Sequence, residues 1–114
     1  MSNKDNTLDR PENLSSAGKT AYKVILQVLR EHDSANTGGC QAFFSPQEWE
    51  DRGESYGTSS ELVVVYDGSD LRPFFNMDAA YPHYTLYEEM QDRLAEEGLY
   101  FEECTGWYCG VYKV

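Results

Sequence analysis

Three cysteines, two histidines and twenty carboxylates are the side chains of this 114-residue chain whose types suit nucleophilic, metal-binding or charge-recognition chemistry. Cys40 follows a Gly pair and His83 follows Pro82. They would form a nucleophile and its base only if the fold joined them, and a small core residue entering a strand is the plainer role for Cys40. Cys104 and Cys109 lack the C-x-x-C spacing of a zinc site, and His32 and His83 would have to complete one. No metal or other cofactor is expected. Gly18-Lys19-Thr20 matches the end of a phosphate-binding loop, but the glycine needed five positions earlier is Asn13 and no strand precedes it. Ser16-x-x-Lys19 is two common residues at a helix start. Asn13-Leu14-Ser15 is a glycosylation sequon, relevant only to a secreted protein.

The carboxylates have more order than these fragments. Residues 1–36 hold equal numbers of acidic and basic side chains, whereas residues 37–114 hold four basic against fifteen acidic ones, which accounts for the whole net charge of −11. Glu88, Asp92 and Glu96 recur every four residues. On a helix that spacing makes a row along one face, with steps of about 6 Å. Glu89 and Glu97 broaden the row, Arg93 interrupts it, and Glu102 and Glu103 follow on the next segment. Glu48, Glu50, Asp51 and Glu54 form another cluster. Such runs are often solvated surface that keeps a small protein dispersed. The other use is recognition of a basic partner. Acidic spacing along a helix tolerates like-charge repulsion of tenths of a kcal/mol per pair, and a function would explain that tolerance.

Nine Tyr, five Phe and two Trp give a second set of candidates. Phe43, Phe44 and Trp49 bracket one short segment, Tyr81, Tyr84 and Tyr87 another, and Tyr100, Trp107, Tyr108 and Tyr112 a third. Tyr and Trp beside carboxylates suit protein interfaces. Here Tyr108 and Tyr112 are expected on one strand face, with Trp107, Cys109 and Val111 on the other.

These groups are carried by a readable series of elements. Ser15 or Ser16 caps a helix whose apolar stripe is Ala21, Val24, Ile25, Val28 and Leu29, ending by Asp33. Gln41 to Phe44 suits a short strand. Ser45-Pro46-Gln47-Glu48 is a helix start with Pro at its first position. Glu61 to Tyr66 reads as a central strand, apolar on both faces. Leu71 to Asn76 returns as an edge strand after the Asp67-Gly68 turn, and Asn76 to Pro82 is a loop. A helix covers Tyr84 to Glu97, with Leu86, Tyr87, Met90 and Leu94 on its apolar side. Leu99 to Cys104 and Trp107 to Val114 form a terminal hairpin. A two-residue turn there pairs Cys104 with Trp107, whereas a four-residue loop would set Cys104 opposite Cys109. The whole predicts a polar tail through residue 13 and one α+β domain over residues 14–114. Its mainly antiparallel sheet has about four strands in two hairpins, with helices packed on one face.

Composition narrows the function. An acidic chain does not attract nucleic acid or anionic membrane at long range. No apolar run approaches a bilayer span, and Met1 to Arg10 has no signal-like core. The odd cysteine count suits a reducing compartment, so a cytoplasmic location is expected, a host's if the protein is viral. The expected function is an inhibitor that binds a basic protein surface. Glu88, Glu89, Asp92, Glu96 and Glu97 would occupy the basic groove of a nucleic-acid-binding complex, flanked by Glu102, Glu103, Tyr108 and Tyr112. That logic resembles nucleic-acid mimics such as viral anti-restriction and anti-CRISPR proteins of phage or mobile elements, in charge and size only. Two readings compete with it. One is a small-ligand-binding or enzymatic domain with a pocket of Trp49, Tyr56, Tyr84 and Trp107, joined by Cys40 and His83. The other is a homo-oligomeric module burying its sheet edge and aromatics against itself.

Overall fold

A computed structural model describes residues 7–114. Helix α1 (Ser16–Glu31) begins where the Ser15 hydroxyl accepts the Gly18 amide, and its buried stripe is Ala21, Ile25, Val28 and Leu29. Strand β1 (Phe43–Phe44) leads directly into α2 (Pro46–Asp51). There the Ser45 hydroxyl accepts the Glu48 amide while the Glu48 carboxylate accepts the Ser45 amide, the reciprocal cap its sequence predicts. Strand β2 (Leu62–Val65) follows, then two single-turn helices, α3 (Arg72–Phe75) and α4 (Met77–Ala80). Helix α5 (Thr85–Ala95) and the hairpin of β3 (Leu99–Glu103) and β4 (Tyr108–Lys113) complete the chain.

The four strands make one antiparallel sheet in the order β1-β2-β4-β3. The α+β class and the four-stranded antiparallel sheet are as expected, and β2 is central. Period-2 alternation divides its side chains between two cores. Leu62 and Val64 join Cys109, Val111, Leu99 and Phe101 under α1, α3 and α5. Val63 faces the other way, against Trp49 of α2 and Tyr108.

Three local departures have clear causes. The segment expected as a strand over residues 71–76 instead holds the single-turn helix α3 (Arg72–Phe75). Pro73 lies in the first turn, where its missing N–H goes unneeded, and both Phe74 and Phe75 are buried. The strand beside β2 is therefore β1, reached across α2 instead of by a tight turn. Residues 77–80, expected as loop, are α4, started by the Asn76 side chain accepting the Ala79 amide. Helix α2 packs on the sheet face opposite the other large helices. Its Trp49 is fully buried, with its ring 4.9 Å from Phe44 and 4.8 Å from Tyr108.

The tail prediction falls partly on residues 1–6, outside the described residues. The stretch that follows is tied down: Thr7 O accepts the Ala42 amide at 2.9 Å, and Leu8 O accepts the Tyr22 hydroxyl at 2.6 Å.

Candidate functional site

Helix α5 has two polar flanks on either side of one apolar stripe. Met90 and Leu94 are buried and Leu86 and Tyr87 pack against the core, as the spacing predicts. That docking turns Glu88, Asp92 and Glu96 into solvent, and Glu97 continues the exposed run past the helix end. Among the described residues none of these four carboxylates has an ion-pair partner.

One residue further round the helix the charges are spent on the fold. Arg93 grips Glu31 of α1 with both arms, Nη1 to Oε1 at 2.8 Å and Nη2 to Oε2 at 3.1 Å. The same Nη1 reaches Glu89 at 3.4 Å, and Glu89 also meets His32 Nε2 at 2.8 Å. The bond from Arg93 holds the Glu31 carboxyl below its usual range, and that bond raises Arg93 in return. Glu89, predicted to face a partner with the row, is thus half-buried and committed to fastening α5 to α1. Its partners lie 57 and 4 residues away, and the first distance is why spacing alone did not separate it from Glu88.

The expected second tier divides between opposite faces of the sheet. Successive residues on a strand point opposite ways. Glu103 turns toward α4, its carboxylate against the Met77 backbone amide and near Asp78; burial pushes that carboxyl up, and Asp78 adds to the rise. Glu102 falls on the other face, with Cys104 and Tyr112. Tyr100 and Tyr112 stack there with centroids 5.6 Å apart, and Tyr100 remains 38% exposed. Tyr112 folds back over Gly110, where a Cβ would come within 2.9 Å of its hydroxyl. Burial, and then Cys104, push the Tyr112 phenol up to about 12. Tyr108 corrects its expectation outright. It is 1% exposed, its ring completes the Trp49 cluster, and its hydroxyl donates to Tyr56 O at 3.0 Å. It is a core residue with no surface to offer a partner.

The hairpin register settles the cysteines. Glu103 pairs with Cys109 and the Cys104 amide donates to Tyr108 O, so the turn is the three residues 105–107, between the two predicted lengths. Cys104 packs with the Trp49 cluster and Cys109 with the main core, so the sheet separates the two thiols, and both are free. Trp107, released from the strand by this turn, leans on Trp49 at 5.7 Å rather than sharing a face with Cys109. Cys40 is exposed, not a core residue, because the Gly38-Gly39 turn at positive φ carries it outside β1.

The pocket of the competing reading is not assembled as expected. Trp49 is buried beneath Trp107, while Tyr84 lies against Tyr81 at a distinct groove. Cys40 and Trp107 do share a groove of about 390 Å³ with Arg52 and Asp67, in which His83 has no part. Arg52 sits over the Trp49 ring at 4.6 Å. The Trp49 indole nitrogen is buried with no hydrogen-bond partner among the described residues. No group of three metal-ligating side chains occurs among the described residues, and no helix there is long and apolar enough to cross a membrane.

A groove that sequence reasoning missed lies at the start of α5. Met77, Tyr84, Tyr87 and Glu88 line about 330 Å³ of open space, with Met77 49% and nearby Tyr81 71% exposed. Its signal was the Tyr81, Tyr84, Tyr87 spacing, but Met77 was hidden in a segment expected to be loop.

The fold and this surface define a small α+β protein with one free acidic helix flank. No family model matches the chain, and no curated protein or solved structure shows significant similarity to it.

Proposed function

We propose that this protein binds a basic protein surface through the outer flank of α5 and thereby competes with nucleic acid for a positively charged groove. The observation that carries this reading is the row of Glu88, Asp92 and Glu96: exposed, in register along α5 and its C-cap, and without ion pairs among the described residues. Evenly stepped carboxylates offer a groove built for phosphates a substitute for its ligand. Glu97 extends the row, and Glu103 with Asp78 adds charge beside α4 on the same side of the sheet. Association of this kind is fast and salt-sensitive. The buried Trp49 cluster, and a Cys40 groove whose lining does not include His83, favour binding over catalysis.

The test is competition. A nucleic-acid-binding protein captured at low salt from the native host is loaded with labelled DNA or RNA, and this protein is then added. The expected result is release of the label, weakened by salt and lost in E88K/D92K/E96K. Release that is unchanged by that triple reversal, or a stable complex holding both ligands, would overturn the proposal.

A further inference from the structure

We infer that the groove formed by Met77, Tyr84, Tyr87 and Glu88 receives an arginine side chain of the basic partner. This inference rests on the proposed function and adds a specific anchor to it. The groove combines a thioether, two phenol rings and a carboxylate. It has no Lys or Arg in its lining. Two more carboxylates approach it: Glu103 lies against the Met77 amide with Asp78 close by, and its charge is felt by Tyr87.

Charge complementarity therefore selects a cation. It disfavours a second copy of this chain, which carries −11 and the same acidic flank. The walls then select among cations. A guanidinium is planar and weakly hydrated, so it can lie on a Tyr face and still donate to a carboxylate at its edge. An ammonium is compact and strongly hydrated, and loses more on entering an aromatic slot. The aliphatic stem of either would cover the exposed Met77. A docked cation would also relieve the ionised Glu103 beside it, whose carboxyl burial now pushes up.

The test uses the intact chain and two short Gly/Ser peptides, one carrying three arginines and its twin three lysines, titrated at low salt by NMR. The arginine peptide should bind roughly threefold to fivefold more tightly. It should shift the Met77 methyl and Tyr84 ring signals and lower the Glu103 carboxyl titration. In M77S/Y84S the two peptides should bind equally. In D92K/E96K both should weaken while the preference for arginine persists. Equal binding to the unaltered chain, or a preference that survives M77S/Y84S, would overturn the anchor. In that case equal binding that still fails in D92K/E96K would leave the acidic-flank reading standing. If neither peptide binds the unaltered chain, both readings fall. The Met77 methyl shift in the unaltered chain decides the matter even if M77S/Y84S folds poorly.

Discussion

The two flanks of α5 carry the same kind of side chain and use it in opposite ways. On one, Glu89 and Glu31 close around Arg93 and fasten α5 to α1. On the other, Glu88, Asp92 and Glu96 are exposed and form no ion pair among the described residues, with Glu88 at the rim of the Met77 groove. The difference is about 100° of helix rotation, the angle between neighbouring residues. It teaches that an acidic helix cannot be read as one surface: a single arginine divides the charges that hold the fold from those left for something else.

The sharpest way to break this contrast is to reverse the free flank. E88K/D92K/E96K should lower affinity for a basic partner by roughly thirtyfold to hundredfold at low salt. It should leave the circular dichroism spectrum unchanged and the melting temperature about the same, because one like-charge row replaces another while the net charge falls from −11 to about −5. Loss of the fold would show that the row is structural after all. The converse change, Arg93→Met, should lower the melting temperature by about 2 °C, with the deficit shrinking in high salt. It should leave partner affinity intact or slightly improved, since it frees two carboxylates. A large loss of affinity would mean that the tied flank is the binding one.

A smaller effect separates carboxyls by their titration. Glu31, held low by Arg93, stabilises the fold above the ordinary carboxylate range, and that contribution is lost as pH falls through its depressed folded value. Glu103, raised by burial and Asp78, behaves oppositely. Its ionised form is disfavoured in the fold, so stability declines as pH rises from its ordinary value through the raised one. Carboxyl chemical shifts followed against pH should place Glu31 below and Glu103 above free glutamate; the reverse order would undo the assignment. The smallest expected change is Glu103→Gln, which should stabilise the protein by a few tenths of a kcal/mol at neutral pH. That gain should disappear in acid, where Glu103 is already protonated.

Much of this frame was legible from residue patterns because it rests on local rules. The α1 stripe, the Ser45 cap, the two-sided apolar run of β2 and the terminal hairpin each follow from periodicity or a turn signal within a few residues. The misreadings share a different physics. At residues 71–76 an apolar run beside Pro73 fits either an edge strand or a first helical turn, and only burial of both Phe74 and Phe75 decides. The β1–β2 pairing and the placement of Trp49 on the second sheet face depend on contacts remote in sequence. At the candidate site, exposure of Glu88, Asp92 and Glu96 followed from the helix period. The bonds of Glu31 to Arg93 and of His32 to Glu89 span 62 and 57 residues, beyond the reach of any local pattern. The opposite facing of Glu102 and Glu103 was implicit in strand alternation, and grouping them by charge concealed it.

The three thiols differ in solvent access, and that difference equips the molecule for observation. Cys109 is sealed within the main core and Cys104 is half-covered, while Cys40 stands open beside Trp107. A maleimide dye offered briefly to the native protein should therefore land on one chosen spot, next to an indole that dims many fluorophores. Brightening would then report any loosening of the seam between the turn before β1 and the hairpin tip.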